Sequence, residues 1–195
     1  MKEAVIVDEP RNDWSSLHRA AYYGYVAILK ILAEQAGGAD LNKLSNNIEF
    51  GYTPLHIASL DGHVEVVEAL IEQGDDVVDV NKPTYCGSTP IWIASCHGRD
   101  KVVRVLIEKG AADVDKANTA NGWTPLHIAS QYGHVEVVRV LLEIGHANVN
   151  KVNKRGKTPL DIALKMKHVK VESVLRDHVK NQQCSINGNK NEQLH

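Results

Sequence analysis

The sequence has little of several things that define whole classes of protein. Only three cysteines, Cys86, Cys96 and Cys184, stand in 195 residues. An odd count without framework spacing excludes a disulfide scaffold and suits a reducing compartment. No apolar run approaches the roughly 18 residues that a membrane helix needs. The opening MKEAVIVDEP carries acids and no long apolar stretch, unlike a secretory signal. Neither sign of charge dominates: 22 Lys/Arg against 24 Asp/Glu leave −2, which excludes a uniformly basic nucleic-acid binder. The motifs His-Glu-x-x-His, Gly-x-Ser-x-Gly and Gly-x-Gly-x-x-Gly do not occur. Gly156-Lys157-Thr158 looks like the end of a phosphate loop, but the earlier glycine that such a loop requires is Lys151. No catalytic site, cofactor or metal is expected. With 43% apolar residues there is enough surface to bury a core. A soluble protein of the cytoplasm or nucleus is expected.

What the chain does have is repetition. Gly51-Tyr-Thr-Pro-Leu-His-Ile-Ala-Ser59 returns as Gly122-Trp-Thr-Pro-Leu-His-Ile-Ala-Ser130, with Gly87-Ser-Thr-Pro-Ile-Trp-Ile-Ala-Ser95 between them. Degraded copies begin at Asp13 and Gly156. The equivalent residues Ser16, Pro54, Pro90, Pro125 and Pro159 are 38, 36, 35 and 34 apart. Thr53 is a good N-cap, and Pro54 sits at the first helical position, where its missing N–H costs nothing. The first helix should run to Asp61, where Gly62 permits the turn that ends it. A second helix from Val64 to about Gln73 places Val66, Val67, Leu70 and Ile71 on one face. Gly74, Gly110 and Gly145 are expected to close the second helices as Gly62 closes the first. One such unit cannot bury its apolar face alone, so the units must stack.

These motifs and this period resemble the ankyrin-repeat family, over residues 12–180. The implied fold is an all-α solenoid of helix-turn-helix units with β-hairpin or loop fingers. The expected organisation is an N-terminal extension (1–11), five repeats (12–46, 47–83, 84–118, 119–152, 153–180) and a polar, frayed C-terminal tail (181–195). Against a 33-residue period the excess falls between Asn42 and Gly51 and in the exit from Gly74 to Asn81. In the fifth repeat Glu172 and Arg176 replace Val67 and Ile71, as an uncovered end requires.

Most of the ten histidines recur with the repeat. Those in equivalent positions stand too far apart to share one zinc ion, so a hydrogen-bonding role is expected. Cys96, His97 and Cys86 form the one constellation that invites a metal reading, and two free thiols are the expectation. Trp92 replaces the signature histidine and should lose the local imidazole hydrogen bonds and gain packing with neighbouring repeats. Charge is polarised: residues 1–150 hold twelve Lys/Arg and twenty Asp/Glu, a net of −8, while residues 151–180 hold nine and three, a net of +6.

The resemblance implies partner binding on a concave face of finger tips and first helices. Carried over, the candidates are Trp14, Tyr22 and Tyr23 in the first repeat, and Phe50, Tyr52 and Leu60 in the second. Tyr85 and His97 follow in the third, Trp123, Gln131 and Tyr132 in the fourth, and Arg155, Lys157 and Lys165 in the fifth. Eight of the ten aromatic residues fall in this set. Packing along neighbouring fingers is the alternative role; it accounts for Trp14, Tyr52 and Trp123 and less readily for Tyr22, Tyr23 and Tyr132. The expected function is non-catalytic recognition of a protein or peptide by a monomer, without membrane or nucleic acid. The rival is a targeting or regulatory arm of an enzyme, acting in trans or within a longer multidomain protein.

Overall fold

The computed structural model describes residues 14–34, 40–46, 50–73 and 78–192, with 182–192 described by backbone alone. The expected extension 1–11, the glycine at 74 and parts of the two lengthened segments lie outside these residues. Ten helices form five pairs: α1 (Ser16–Tyr23) with α2 (Val26–Glu34), α3 (Pro54–Asp61) with α4 (Val64–Ile71), α5 (Pro90–Cys96) with α6 (Asp100–Glu108), α7 (Pro125–Tyr132) with α8 (Val135–Glu143), and α9 (Pro159–Met166) with α10 (Val169–Glu192). First helices pack on first helices and second on second, giving two rows. Leu29, Leu55, Leu70, Ile91, Leu106, Leu126, Leu141 and Leu175 are fully buried in the array. Each such side chain contributes about 1.5–3 kcal/mol. The core is aliphatic and continuous along the stack.

Helices of seven to nine residues are too short to persist alone, so their ends must be fixed. Ser15, Thr53, Thr89, Thr124 and Thr158 are all extended N-caps whose side chains accept the N–H three residues on. At the turn between paired helices Gly62 and Gly133 adopt φ of +86° and +74°. A Cβ on Gly133 would come within 2.7 Å of the His168 ring, so the next repeat demands glycine as much as the turn does. Lys167 holds the same place in the fifth repeat at φ +60°, with no further repeat over it among the described residues.

Two expectations need correction. Gly110 and Gly145 do not close their helices by a left-handed turn; Ala111 (φ +47°) and His146 (φ +51°) take that conformation. The glycines answer to crowding instead. A Cβ at 145 would lie 2.9 Å from both Leu141 O and Val114 Cγ1, where the exit of one repeat meets that of the one before. Of the two expected forms the fingers take the loop: among the described residues they contain no strand and are turns closed by bonds such as Thr84 N to Ser88 O, 2.9 Å. The tail does not leave the helix at 181, because α10 continues to Glu192. The uncovered face of α10 is polar as expected, with Arg176 Nε donating to Glu172 Oε1 at 2.8 Å.

Candidate functional site

Two sets of histidines tie the repeats together and set the geometry of the face. His56 Nδ1 accepts from Thr53 N at 3.2 Å, so Nε2 carries the proton and donates to Ser88 O in the next repeat at 3.0 Å. His18 and His127 make the same bridge to Tyr52 O and Lys157 O, each at 2.9 Å. The second set points back along the chain: His63 to Tyr22 O (2.8 Å), His134 to Cys96 O (3.0 Å) and His168 to Gln131 O (3.0 Å). Arg99 stands in for the missing member and donates from Nε to Leu60 O at 2.9 Å. The bridges hold the fingers and first helices in a fixed register.

Trp92 gives up the local bonds of the imidazole, as expected, and keeps one between repeats, its Nε1 donating to Trp123 O at 3.0 Å. Asp161, the fifth-repeat counterpart, has only the cap: its Oδ2 accepts from Thr158 N at 2.9 Å and Oγ1 at 3.0 Å. That backbone bond is the main reason its carboxyl lies below the ordinary range.

The cysteine constellation is not assembled for chemistry. Cys86 is exposed and Cys96 half-buried, and neither stands in a disulfide. Burial pushes the Cys96 thiol up to about 11, away from the thiolate a nucleophile or ligand needs. His97 turns back to Ile93 O in its own helix at 3.0 Å. Among the described residues no group of three or more His, Cys, Asp or Glu is placed to hold a metal ion.

The structure divides the candidate residues into two groups at opposite ends. At the first repeat Trp14, Tyr22 and Tyr23 form a chain of ring contacts with centroids 5.3 and 5.1 Å apart. Tyr25 extends it, stacked on Tyr23 at 5.4 Å. The sequence reading missed Tyr25, which lies just past the inter-helix glycine; its alternation with Tyr23 around Gly24 was the available signal. Phe50 and Tyr52 stack nearly parallel at 5.6 Å in the second finger. Tyr85 leans over Gly51, whose absent Cβ makes room for the ring, so it packs along the fingers while 56% of it stays exposed.

At the other end Trp123 and Gln131 of repeat four meet Arg155, Lys157 and Lys165 of repeat five. Together with Asn153, Asp161, Ile162, Leu164 and Met166 they line a cleft of about 520 Å³. Leu164 is the informative member that the sequence reading passed over. Its counterparts Ser59, Ser95 and Ser130 are fully buried, whereas Leu164 is 42% exposed. Leu60, His97 and Tyr132 join neither group: Leu60 gives its carbonyl to Arg99, His97 bonds within its own helix, and the Tyr132 ring lies against His134 of the same repeat.

Comparison with known proteins agrees with this architecture. The family described as ankyrin repeats (3 copies) matches residues 17–118 and 111–188. A protein of Oryza sativa subsp. japonica described as "Probable E3 ubiquitin-protein ligase" is 30% identical over 93 residues, covering 35% of this chain and 19% of that protein. A palmitoyltransferase of Candida albicans is 33% identical over 85 residues, covering 42% of this chain and 10% of that protein. The chain therefore spans less than a fifth of either relative's length. The family match runs through all five stacked helix pairs, and the chain belongs to the ankyrin-repeat family.

Proposed function

We propose that the face built from the fingers and first helices binds a partner protein or peptide and catalyses nothing. One observation carries this reading: Tyr23, Tyr25, Tyr85 and Tyr132 are each about half exposed, from 48% to 56%, in a protein whose core is aliphatic. Tyrosine and tryptophan offer large, rigid contact area with a polar handle, the profile of binding hot spots. The bridges between repeats order the face in advance, so little conformational freedom is lost on binding. Replacing Tyr23, Tyr52, Trp123 and Tyr132 together by Ala should leave the helical content intact and abolish binding of the main partner recovered from the source cell. Unchanged binding would overturn the assignment of this face.

A second reading is favoured by the partial matches to two proteins described as a ligase and a palmitoyltransferase. In that reading the repeats are the targeting arm of an enzyme. An antibody to the repeats should then detect a product much larger than 21.5 kDa in the source cell, or an enzyme stably bound to this one.

A further inference from the structure

We infer that the cleft between repeats four and five takes a bulky apolar side chain flanked by carboxylates in a peptide of the partner. This rests on the protein-binding reading above and gives it a chemical class. The cleft differs from every interior junction in what it leaves uncovered. Where interior repeats have a small, buried serine, Leu164 presents an aliphatic side chain that is 42% exposed, and Met166 beside it is 39% exposed. Gln131 Nε2 lies 3.5 Å from Met166 Sδ and closes one side of this floor. Trp123, half-buried, also lines the cleft. About 520 Å³ lies within the usual range for small-ligand and side-chain pockets.

The rim supplies the second requirement. Arg155, Lys157 and Lys165 are exposed, and among the described residues none of the three is in an ion pair. The one carboxylate that borders the cleft, Asp161, is engaged by Thr158 as a helix cap and also feels the charge of Lys157. A partner entering here therefore meets apolar floor and an excess of positive charge together. A free phosphate would satisfy the cations and leave Leu164 and Met166 wet. An extended nucleic acid would run from this end onto repeats whose net charge is −8. A short acidic segment with an apolar centre matches floor, rim and the fall in potential along the array.

The test uses the full chain and fluorescence anisotropy with labelled nonapeptides. The first probe is Glu-Asp-Glu-Leu-Phe-Leu-Glu-Asp-Glu. The second replaces its acids by Gln and Asn, and the third replaces Leu-Phe-Leu by Gly-Ser-Gly. An oligothymidylate of nine nucleotides is the fourth. The first probe should bind, more weakly as salt rises, and the other three should bind at least about tenfold less tightly. Leu164→Ser, which installs the residue of the interior repeats, should cost the first probe about tenfold. The triple variant Arg155→Glu, Lys157→Glu, Lys165→Glu should abolish its binding and accept instead a probe with Lys in place of each acid. All four substituted side chains are exposed, so thermal melting should be unchanged. Equal binding of the neutral probe, equal binding of the oligonucleotide, or indifference to both variants overturns the inference. If a partner from the source cell is lost on the fourfold Ala change yet retained by Leu164→Ser and the triple variant, this inference falls and the broader reading stands. If neither set of changes matters, both fall.

Discussion

At the third helical position of repeats two and four stand His56 and His127; at the same position of repeat five stands Asp161. The histidines hold their own cap with Nδ1 and reach the next repeat's carbonyl with Nε2. The aspartate holds its cap and reaches nothing further. The same contrast recurs across the two regions. Gly133 lies under the His168 ring, while Lys167 carries a side chain in the same left-handed turn. Ser130 is buried and Leu164 exposed. A Cβ on Gly122 would meet Lys154 at 3.0 Å, and one on Gly156 would meet nothing within 4 Å. What the interior and the fifth repeat share is local capping; what separates them is the contact across a junction. Repeat three shows which half of the histidine's role is the harder to lose. Trp92 gives up the cap contact and keeps the bridge.

The largest break in this comparison should come from His127→Ala against Asp161→Ala. His127 is completely buried, and its loss strips partners from Thr124 N and Lys157 O and opens a cavity. A cost of about 3 kcal/mol is expected in urea unfolding. Asp161 is exposed and supplies one cap, so its removal should cost about 0.5–1 kcal/mol. Equal losses would mean that capping, and not the bridge, is what the interior histidine contributes.

Acid should separate the two regions next. Burial, the largest cause, pushes His56 from 6.5 down to about 4, because a proton on Nδ1 would also displace the Thr53 N–H. Between those values the unfolded chain binds a proton that the folded chain refuses. Stability is therefore full above pH 6.5 and declines as pH falls toward 4, by up to roughly 3 kcal/mol for this one group. His127 shifts in the same direction, again chiefly through burial. Asp161 acts in a lower window: held below 3.8, it keeps its contribution until the pH falls beneath that value. Urea midpoints measured from about pH 7 to about pH 4.5 should drop steeply, and His56→Gln should flatten the slope. A flat profile in the unsubstituted protein would show that His56 titrates normally.

How much of this was legible follows from the range of each interaction. Thr-Pro followed by Leu-His is a local instruction, and the cap, the proline and the start of α3 and α7 stand where those residues place them. The polar face of α10 was legible too, since Glu172 and Arg176 stand where interior repeats have Val67 and Ile71. The reach of Trp92 to Trp123 O was not, because it depends on the distance between repeats. Gly110 and Gly145 misled for that reason too: a glycine after a helix reads as a turn, and besides a carbonyl of its own helix the atoms that exclude a Cβ are side chains of the preceding repeat. Of the candidate site, the aromatic and basic ends were visible in composition. The cleft was not, although the departure of Leu164 from serine marked its floor.

The inter-helix turn offers a smaller effect with opposite signs in the two regions. Gly133→Ala adds a left-handed alanine and drives its Cβ to 2.7 Å from His168, so the bond from His168 to Gln131 O must yield. A loss of about 2 kcal/mol is expected. Lys167→Gly should instead stabilise by up to about 1 kcal/mol, since the same conformation is strained there and among the described residues the lysine side chain makes no hydrogen bond or ion pair. Thermal melting of both variants checks the pair; destabilisation by Lys167→Gly would mean that the lysine side chain is held at that turn.

The smallest effect concerns the serines. The hydroxyls of Ser59, Ser95 and Ser130 are buried and have no hydrogen-bond partner among the described residues. A buried hydroxyl without a partner carries its desolvation cost uncompensated, and alanine is also the better helix former. Each Ser→Ala change should therefore raise stability by about 0.5–1 kcal/mol, and the three should nearly add because they lie in different repeats. At the fifth repeat Leu164→Ser should change stability little, as its side chain is 42% exposed in the free protein. A loss of stability on Ser95→Ala would mean that water or a shifted carbonyl serves that hydroxyl. The serine would then belong to the junction as the histidine bridge does, and the interior would differ from the fifth repeat by one more polar contact instead of by volume alone.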